Sequence, residues 1–157
     1  MLKKYLYIFL ISMVPLIELR GAIPVSQGFQ LPLLQSYIVC VIGNMLPVPV
    51  IYLFARKVLE WGKDKKYIGS SLLSVLKKDT SGEKLKEKAG RGLFVALLLF
   101  VGIPLPGTGA WTGTLAASFL DMGFKKSVIA VLLGVLLAGV IMGIASAGVF
   151  TAIFSFA

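Results

Sequence analysis

Leu93-Phe94-Val95-Ala96-Leu97-Leu98-Leu99-Phe100-Val101-Gly102-Ile103 carries no charge and runs straight into Pro104-Leu105-Pro106-Gly107-Thr108-Gly109. Eleven residues make a helix of about 16 Å, whereas a bilayer asks for about 20 residues. The prolines and glycines that follow stop a helix. Leu115–Leu120 is apolar again, and Asp121 to Lys126 is a polar joint. An apolar run that stops short, breaks and resumes predicts a hairpin that enters a membrane and leaves on the same side. Broken backbone survives at that depth only where protein buries it or where it lines a wet cavity.

The start of the chain has the same order. Lys3 and Lys4 precede an apolar stretch, Tyr5 to Ile17, which is also short for a span. The stretch has the look of a signal peptide, but Glu18 and Arg20 follow at once and no A-x-A site appears. Glu18–Pro32 is polar or helix-breaking, with Gly21, Pro24, Gly28 and Pro32. Leu33–Ala55 is then 23 uncharged residues, about 35 Å as a helix and enough to span. Asn44, Pro47 and Pro49 predict a kink in it. Ser127–Ala157 is the matching long run in the second half, 31 residues without a charge. Its helical length of about 46 Å exceeds a bilayer, so it must tilt, kink or emerge at its end.

Composition agrees. Of 157 residues, 57% are hydrophobic and only 15% charged, against roughly 25% charged in soluble domains. Disorder is excluded, since it needs low hydrophobicity. The net charge is +9 and is concentrated. Residues 56–91 hold eleven bases and five acids. Between apolar segments this reads as a cytoplasmic loop rather than a nucleic-acid surface. Within it, Thr80 and Glu83 have capping-box spacing, and a short helix from Ser81 to Ala89 stopping at Gly90 is expected. Tyr67, Ile68, Leu72, Val75 and Leu76 recur at helical spacing, as an interfacial helix or a solvated connector would.

The expected fold is all-α and integral to the membrane. Two Pro/Gly-broken re-entrant hairpins and two long spans form an inverted repeat around the basic loop. Residues 1–55 are the first half, 56–92 the loop and 93–157 the second half, in a single membrane domain. The loop side collects thirteen bases with Lys125 and Lys126, the other side only Lys3 and Lys4. That places the loop in the cytoplasm and both termini outside. If Tyr5–Leu31 crosses fully, the N-terminus is cytoplasmic instead.

There is no histidine, and Cys40 is the one cysteine. Histidine-based catalysis and Cys/His zinc sites are therefore excluded. The residues ask for no cofactor and no metal, and no enzyme is expected. Matching broken segments in two halves point to a transport site. Glu18 and Arg20 are its charged candidates, because an intramembrane charge needs a partner or a function. Glu18 is a candidate proton carrier and Arg20 a holder of phosphate or carboxylate. Two residues apart on a helix they would point away from each other, whereas a turn at Gly21 would pair them. The bland reading is a salt bridge that only fastens the hairpins together. Gly21, Pro24, Pro104, Pro106, Gly107, Thr108 and Gly109 are the expected hairpin turns. Gly107 to Gly113 is too long for a dinucleotide fingerprint and lacks a P-loop lysine, but its free N–H groups and threonine hydroxyls suit an ion or a head group. Asn44, Trp111 and Thr112 are candidate cavity-lining residues, each with a plain packing role as the alternative. Gly139-x-x-x-Gly143 is a close-packing pattern, within the chain or between protomers.

Pro15-Leu16-Ile17-Glu18-Leu19-Arg20-Gly21-Ala22-Ile23-Pro24 resembles the first signature of the bacterial small multi-drug export protein family, and Gly102–Gly113 resembles its second. The family in turn resembles the DedA-like membrane proteins, with two facing re-entrant hairpins. The resemblance implies proton-dependent transport, or movement of polyprenyl phosphate or phospholipid, in the bacterial inner membrane, with Glu18 and Arg20 on the first hairpin and Pro104 to Gly107 at the turn of the second. Where the DedA-like second hairpin commonly has an arginine, Thr108-Gly109-Ala110 stands here, which puts phosphate binding at that tip in doubt. The expected activity is export of a small amphipathic or cationic substrate, with protons as the coupling ion. The alternatives are a flippase or scramblase for phospholipid or polyprenyl phosphate, and a non-transporting scaffold. Expected partners are membrane lipids, the substrate and a second copy of the chain in a homodimer.

Overall fold

A computed structural model describes residues 2–63, 83–105 and 107–155. Among them are seven helices and no strand: α1 Leu2–Met13, α2 Glu18–Gly28, α3 Leu33–Met45, α4 Pro47–Lys63, α5 Glu83–Gly102, α6 Ala110–Phe119 and α7 Phe124–Ser155. The expected interfacial helix at Tyr67–Leu76 lies outside the described residues, as does Pro106.

Both short apolar runs are helices followed by a break. The first break is Val14–Ile17, not the Gly21–Pro24 region that composition singles out. Gly21 and Pro24 lie inside α2. Proline there deprives the Arg20 carbonyl of its intrahelical donor but still fits helical φ, so packing on both sides carries the helix through it. Leu16 (φ 75°) and Glu18 (φ 50°) make the break by entering the left-handed region without being glycine. The second break is Ile103–Gly109, with Gly107 at φ 82°. Gly90 does not stop a helix either. α5 runs through Gly90 and Gly92 to Gly102, since the apolar run after it gains more from packing than one glycine costs.

Two helical stretches, Leu33–Trp61 and Phe124–Val149, are long and apolar enough to cross a membrane. In the first, Leu46 keeps helical dihedrals and its N–H reaches Ile42 O. Pro47 and Pro49 supply no N–H of their own, so the hydrogen-bond ladder is interrupted while the rod continues from α3 into α4. α7 packs on α5, α2, α6 and α3; α4 packs on α6. α1 and α2 pack on α3, and α5 on α7, within each half, while α2 on α7 and α6 on α4 join the first unit (α1–α2) to the second long helix and the second unit (α5–α6) to the first. The core runs between them through Ile8, Leu19, Ile23, Val48, Leu97, Val101, Val131 and Val135.

Ties at the two ends fix the α3–α4 rod between the units. At one end Tyr5 OH donates to Gln35 Oε1, and Lys4 Nζ donates to Phe29 O at 3.2 Å while sitting 5.8 Å from the Phe29 ring. At the other, Arg56 pairs with Asp121 at 2.9 Å and Tyr52 meets Phe124 edge to face. Gln35 and Arg56 are 21 residues apart, about 31 Å along a helix.

Glycines let α7 come close. A Cβ at Gly134 would stand 2.7 Å from Val101 Cβ and 2.8 Å from the Leu98 carbonyl oxygen of α5. Gly139 meets Tyr37 of α3, whose hydroxyl donates to Leu136 O at 3.0 Å. The Gly139-x-x-x-Gly143 pattern is therefore used at Gly139 for packing within the chain. Gly134→Ala is expected to destabilise by about 1–3 kcal/mol, because a backbone carbonyl cannot yield. Gly148→Ala, which meets nothing within 4 Å, should be neutral or stabilising by up to about 1 kcal/mol. Thermal melting of the two variants in detergent checks the contrast.

Candidate functional site

The two breaks meet. Glu18 is buried at the first position of α2, and its carboxylate faces the first turn of α6. Oε2 accepts the Ala110 N–H at 3.1 Å and Oε1 accepts the Trp111 N–H at 3.1 Å. These are among the donors a helix cannot satisfy internally, and the helix dipole favours a negative charge there. Gly109 is the N-cap of α6. The Thr112 hydroxyl accepts the Gly109 N–H at 2.9 Å, which is half of a capping box. Gly109 has no side chain to cap the helix, and Glu18, from another helix, accepts the amides of the first two residues of α6 instead. A Cβ at Gly109 would overlap the Glu18 carboxylate. The glycine is therefore required by close approach, not by its dihedrals, which are extended.

Arg20 does the converse. One terminal nitrogen donates to Leu105 O, and the other to Val101 O at 3.1 Å, Ile103 O at 3.2 Å and Thr108 Oγ1 at 3.1 Å. Val101 O belongs to the last turn of α5, where carbonyls lack an intrahelical donor; Ile103 O and Leu105 O lie in the break beyond it, where they also accept the Leu105 and Thr108 N–H groups. A planar guanidinium reaches several at once, which a point-charge ammonium does not. Thr108 Oγ1 lies 3.0 Å from both Ile103 O and Leu105 O within the break, and its single proton serves one of them at a time. From the second unit Trp111 Nε1 donates to Met13 O at 3.2 Å, at the end of α1. Each unit thus satisfies backbone groups that the other unit's break leaves open.

Glu18 and Arg20 do not turn towards each other. Gly21 makes no turn, and on a helix residues two apart diverge. Both charges are spent on the opposite unit's backbone. Pro104, Gly107, Thr108 and Gly109 do lie in the second break. Asn44 is buried, and its Oδ1 has no hydrogen-bond partner among the described residues. Leaving a buried acceptor unmatched costs about 1–3 kcal/mol. The sequence reading missed the capping role of Gly109 and the Arg56–Asp121 pair. The available signals were a glycine directly before the apolar turn of α6 and an acid and a base flanking otherwise uncharged stretches.

A family model described as "Putative small multi-drug export protein" matches residues 18–141. It opens on Glu18, directly after the first break, and takes in the second. No curated protein and no solved structure matches the chain.

The geometry predicts non-additive mutants. Gly109→Ala should cost about 2 kcal/mol by forcing the carboxylate off α6. Glu18→Ala should cost a similar amount in the native background, but at least about 1 kcal/mol less once Gly109→Ala is present. A double-mutant cycle by thermal melting measures the coupling, and additive losses would show that Glu18 does not cap α6.

Proposed function

We propose, on the premise that this chain belongs to the small multi-drug export protein family, that it is a proton-coupled exporter of a small amphipathic or cationic substrate. The exchange site is the junction of the two breaks. The carrying observation is a buried carboxylate hydrogen-bonded to the N-terminal amides of a helix in the other half.

In this reading α1–α2 and α5–α6 are re-entrant hairpins. Their open ends are tied to opposite ends of the α3–α4 rod, which supports entry from opposite faces and an inverted repeat. The basic loop 56–92 faces the cytoplasm of the bacterial inner membrane by its charge. The ionised carboxylate holds α6 through charge and dipole together. A proton removes the charge, weakens the hold and lets the units part. A cationic substrate competes for the same carboxylate, so proton and substrate exclude each other and exchange becomes coupled. Arg20 keeps the end of α5 in place meanwhile. Its terminal nitrogens are already engaged with carbonyls, so the lipid-phosphate reading finds less support. A homodimer remains part of the proposal.

Proton flux in proteoliposomes under an imposed pH gradient tests the reading. Wild type should show flux that depends on an added lipophilic cation, and Glu18→Gln should lose it. Loss of stability in Glu18→Gln with unchanged flux would favour the scaffold instead. For topology, single cysteines at Gln30 and Lys126 in a Cys40→Ala background should label from opposite faces; both residues are exposed. Labelling from one face would remove the opposed-hairpin arrangement.

A further inference from the structure

Trp111 is held at two points, and they lie on opposite sides of the first break. Its backbone N–H donates to Glu18 Oε1 at 3.1 Å, just after the break. Its indole Nε1 donates to Met13 O at 3.2 Å, just before the break. One residue of the second unit therefore spans Val14–Ile17. Arg20 spans the second break in the same way, from Val101 O in the last turn of α5 to Thr108 Oγ1 near the start of α6. Each break is closed by a residue of the other unit.

The two closures differ in what can release them. The Arg20 guanidinium keeps its charge at any working pH. The second break turns at Gly107, and a φ of 82° suits a glycine. Trp111, in contrast, is held at one of its two points by a carboxylate, whose charge a proton removes. The first break turns at Leu16 and Glu18, with φ of 75° and 50°. Side chains adopt such angles only where the surroundings hold them there. The strained break is thus the one whose closure a proton can loosen. The other charged or titratable groups on the described elements packed against Glu18 are few. They are Lys3, Lys4, Tyr5 and Tyr7 in the first two turns of α1, Tyr37 and Cys40 on α3, Lys125 and Lys126 at the start of α7, and Arg20 itself; α6 carries none. None of these titrates in the carboxylate range.

We infer that Trp111 is the positioning residue of the exchange site: it carries the protonation of Glu18 across to α1, so that the first break opens while the second stays shut. This rests on the reading of Glu18 as the proton-exchanging group and adds which half of the junction moves and through what contact. The indole N–H is the element that transmits, because without it α1 has no tie to the residue that the carboxylate holds.

Amide hydrogen exchange of the full-length protein in detergent, corrected for the intrinsic rate, tests it. The reporters are the Val14 and Glu18 N–H groups of the first break and the Leu105 and Thr108 N–H groups of the second. In wild type, acidification from about pH 8 to about pH 4 should speed the first pair by up to about thirtyfold, the charge–dipole hold being lost, and leave the second pair unchanged. Glu18→Gln should exchange fast at every pH. Trp111→Phe should be about fivefold faster than wild type at neutral pH, as one lost hydrogen bond allows, and should lose the pH step. If that variant does not fold, benzothienylalanine at Trp111 in a Trp61→Phe background keeps the shape of the ring and removes only the N–H. A pH step of undiminished size without the indole N–H overturns the inference, leaving Trp111 a packing residue. A step of equal size in both breaks, or none in wild type, overturns it too. The export reading is judged separately by proton flux. A step that needs both Glu18 and Trp111 in a protein without cation-dependent flux keeps the closure and removes the exporter.

Discussion

A buried carboxylate against the first turn of a helix is the constraint on which the rest of the structure depends. Breaking a helix in an apolar core leaves a negative end of carbonyls and a positive end of amides facing each other across the gap. Neither end can turn to water there, so both need charges of opposite sign brought in from elsewhere. α2 brings both. Glu18 goes to the amides of α6, and Arg20, two residues on, goes to carbonyls at and just past the end of α5. Their divergence on the helix is what makes the arrangement work, since the two ends of the break also lie apart. The second unit returns less: the Trp111 indole takes one carbonyl of α1, and the first break meets much of its own need through Val14 and Glu18 N–H bonds within the turn.

That constraint explains which parts of the fold the sequence makes legible. Short and long apolar runs in the same order in both halves are visible because length and charge alone separate them. Glu18 and Arg20 are visible because charges in such a setting need a reason. The position of the first break is not. Gly21 and Pro24 have the composition of a turn, and Leu16 and Glu18 do not, yet the latter carry the positive φ. Local preference is worth about 1–3 kcal/mol at such positions, and two charged anchors on the other unit outweigh it. Gly109 was legible as a turn residue and not as a vacancy for a distant side chain. A missing Cβ carries no record of what fills its place.

The close approaches follow the same logic at a smaller scale. Gly43 against Ser12, Gly134 against Leu98 and Gly139 against Tyr37 bring α1, α5 and α3 onto their neighbours. They hold the long helices near enough for the breaks to touch. The ties at the ends are of a different kind. The Arg56 and Asp121 side chains are 39% and 76% exposed, and solvent screens an exposed pair of this type. They fix the register of the ends and do not hold the centre.

Fastening and the proposed exchange are compatible at Glu18, because the magnitudes permit both. A buried ion pair would cost about 3–5 kcal/mol to break by losing one partner, and would lock the junction. A carboxylate on a helix N-terminus holds through two hydrogen bonds and a charge–dipole attraction of up to about 2 kcal/mol. Protonation removes the attraction and leaves a carbonyl oxygen still able to accept one amide. A change of about 2 kcal/mol shifts a two-state balance about thirtyfold, since 1.36 kcal/mol is tenfold. That is enough to move a junction between held and released without unfolding it. An arginine in place of the helix end would hold the glutamate too well to let a proton decide. The backbone amides of α6 are a weaker partner, and that weakness is what an exchanging site needs.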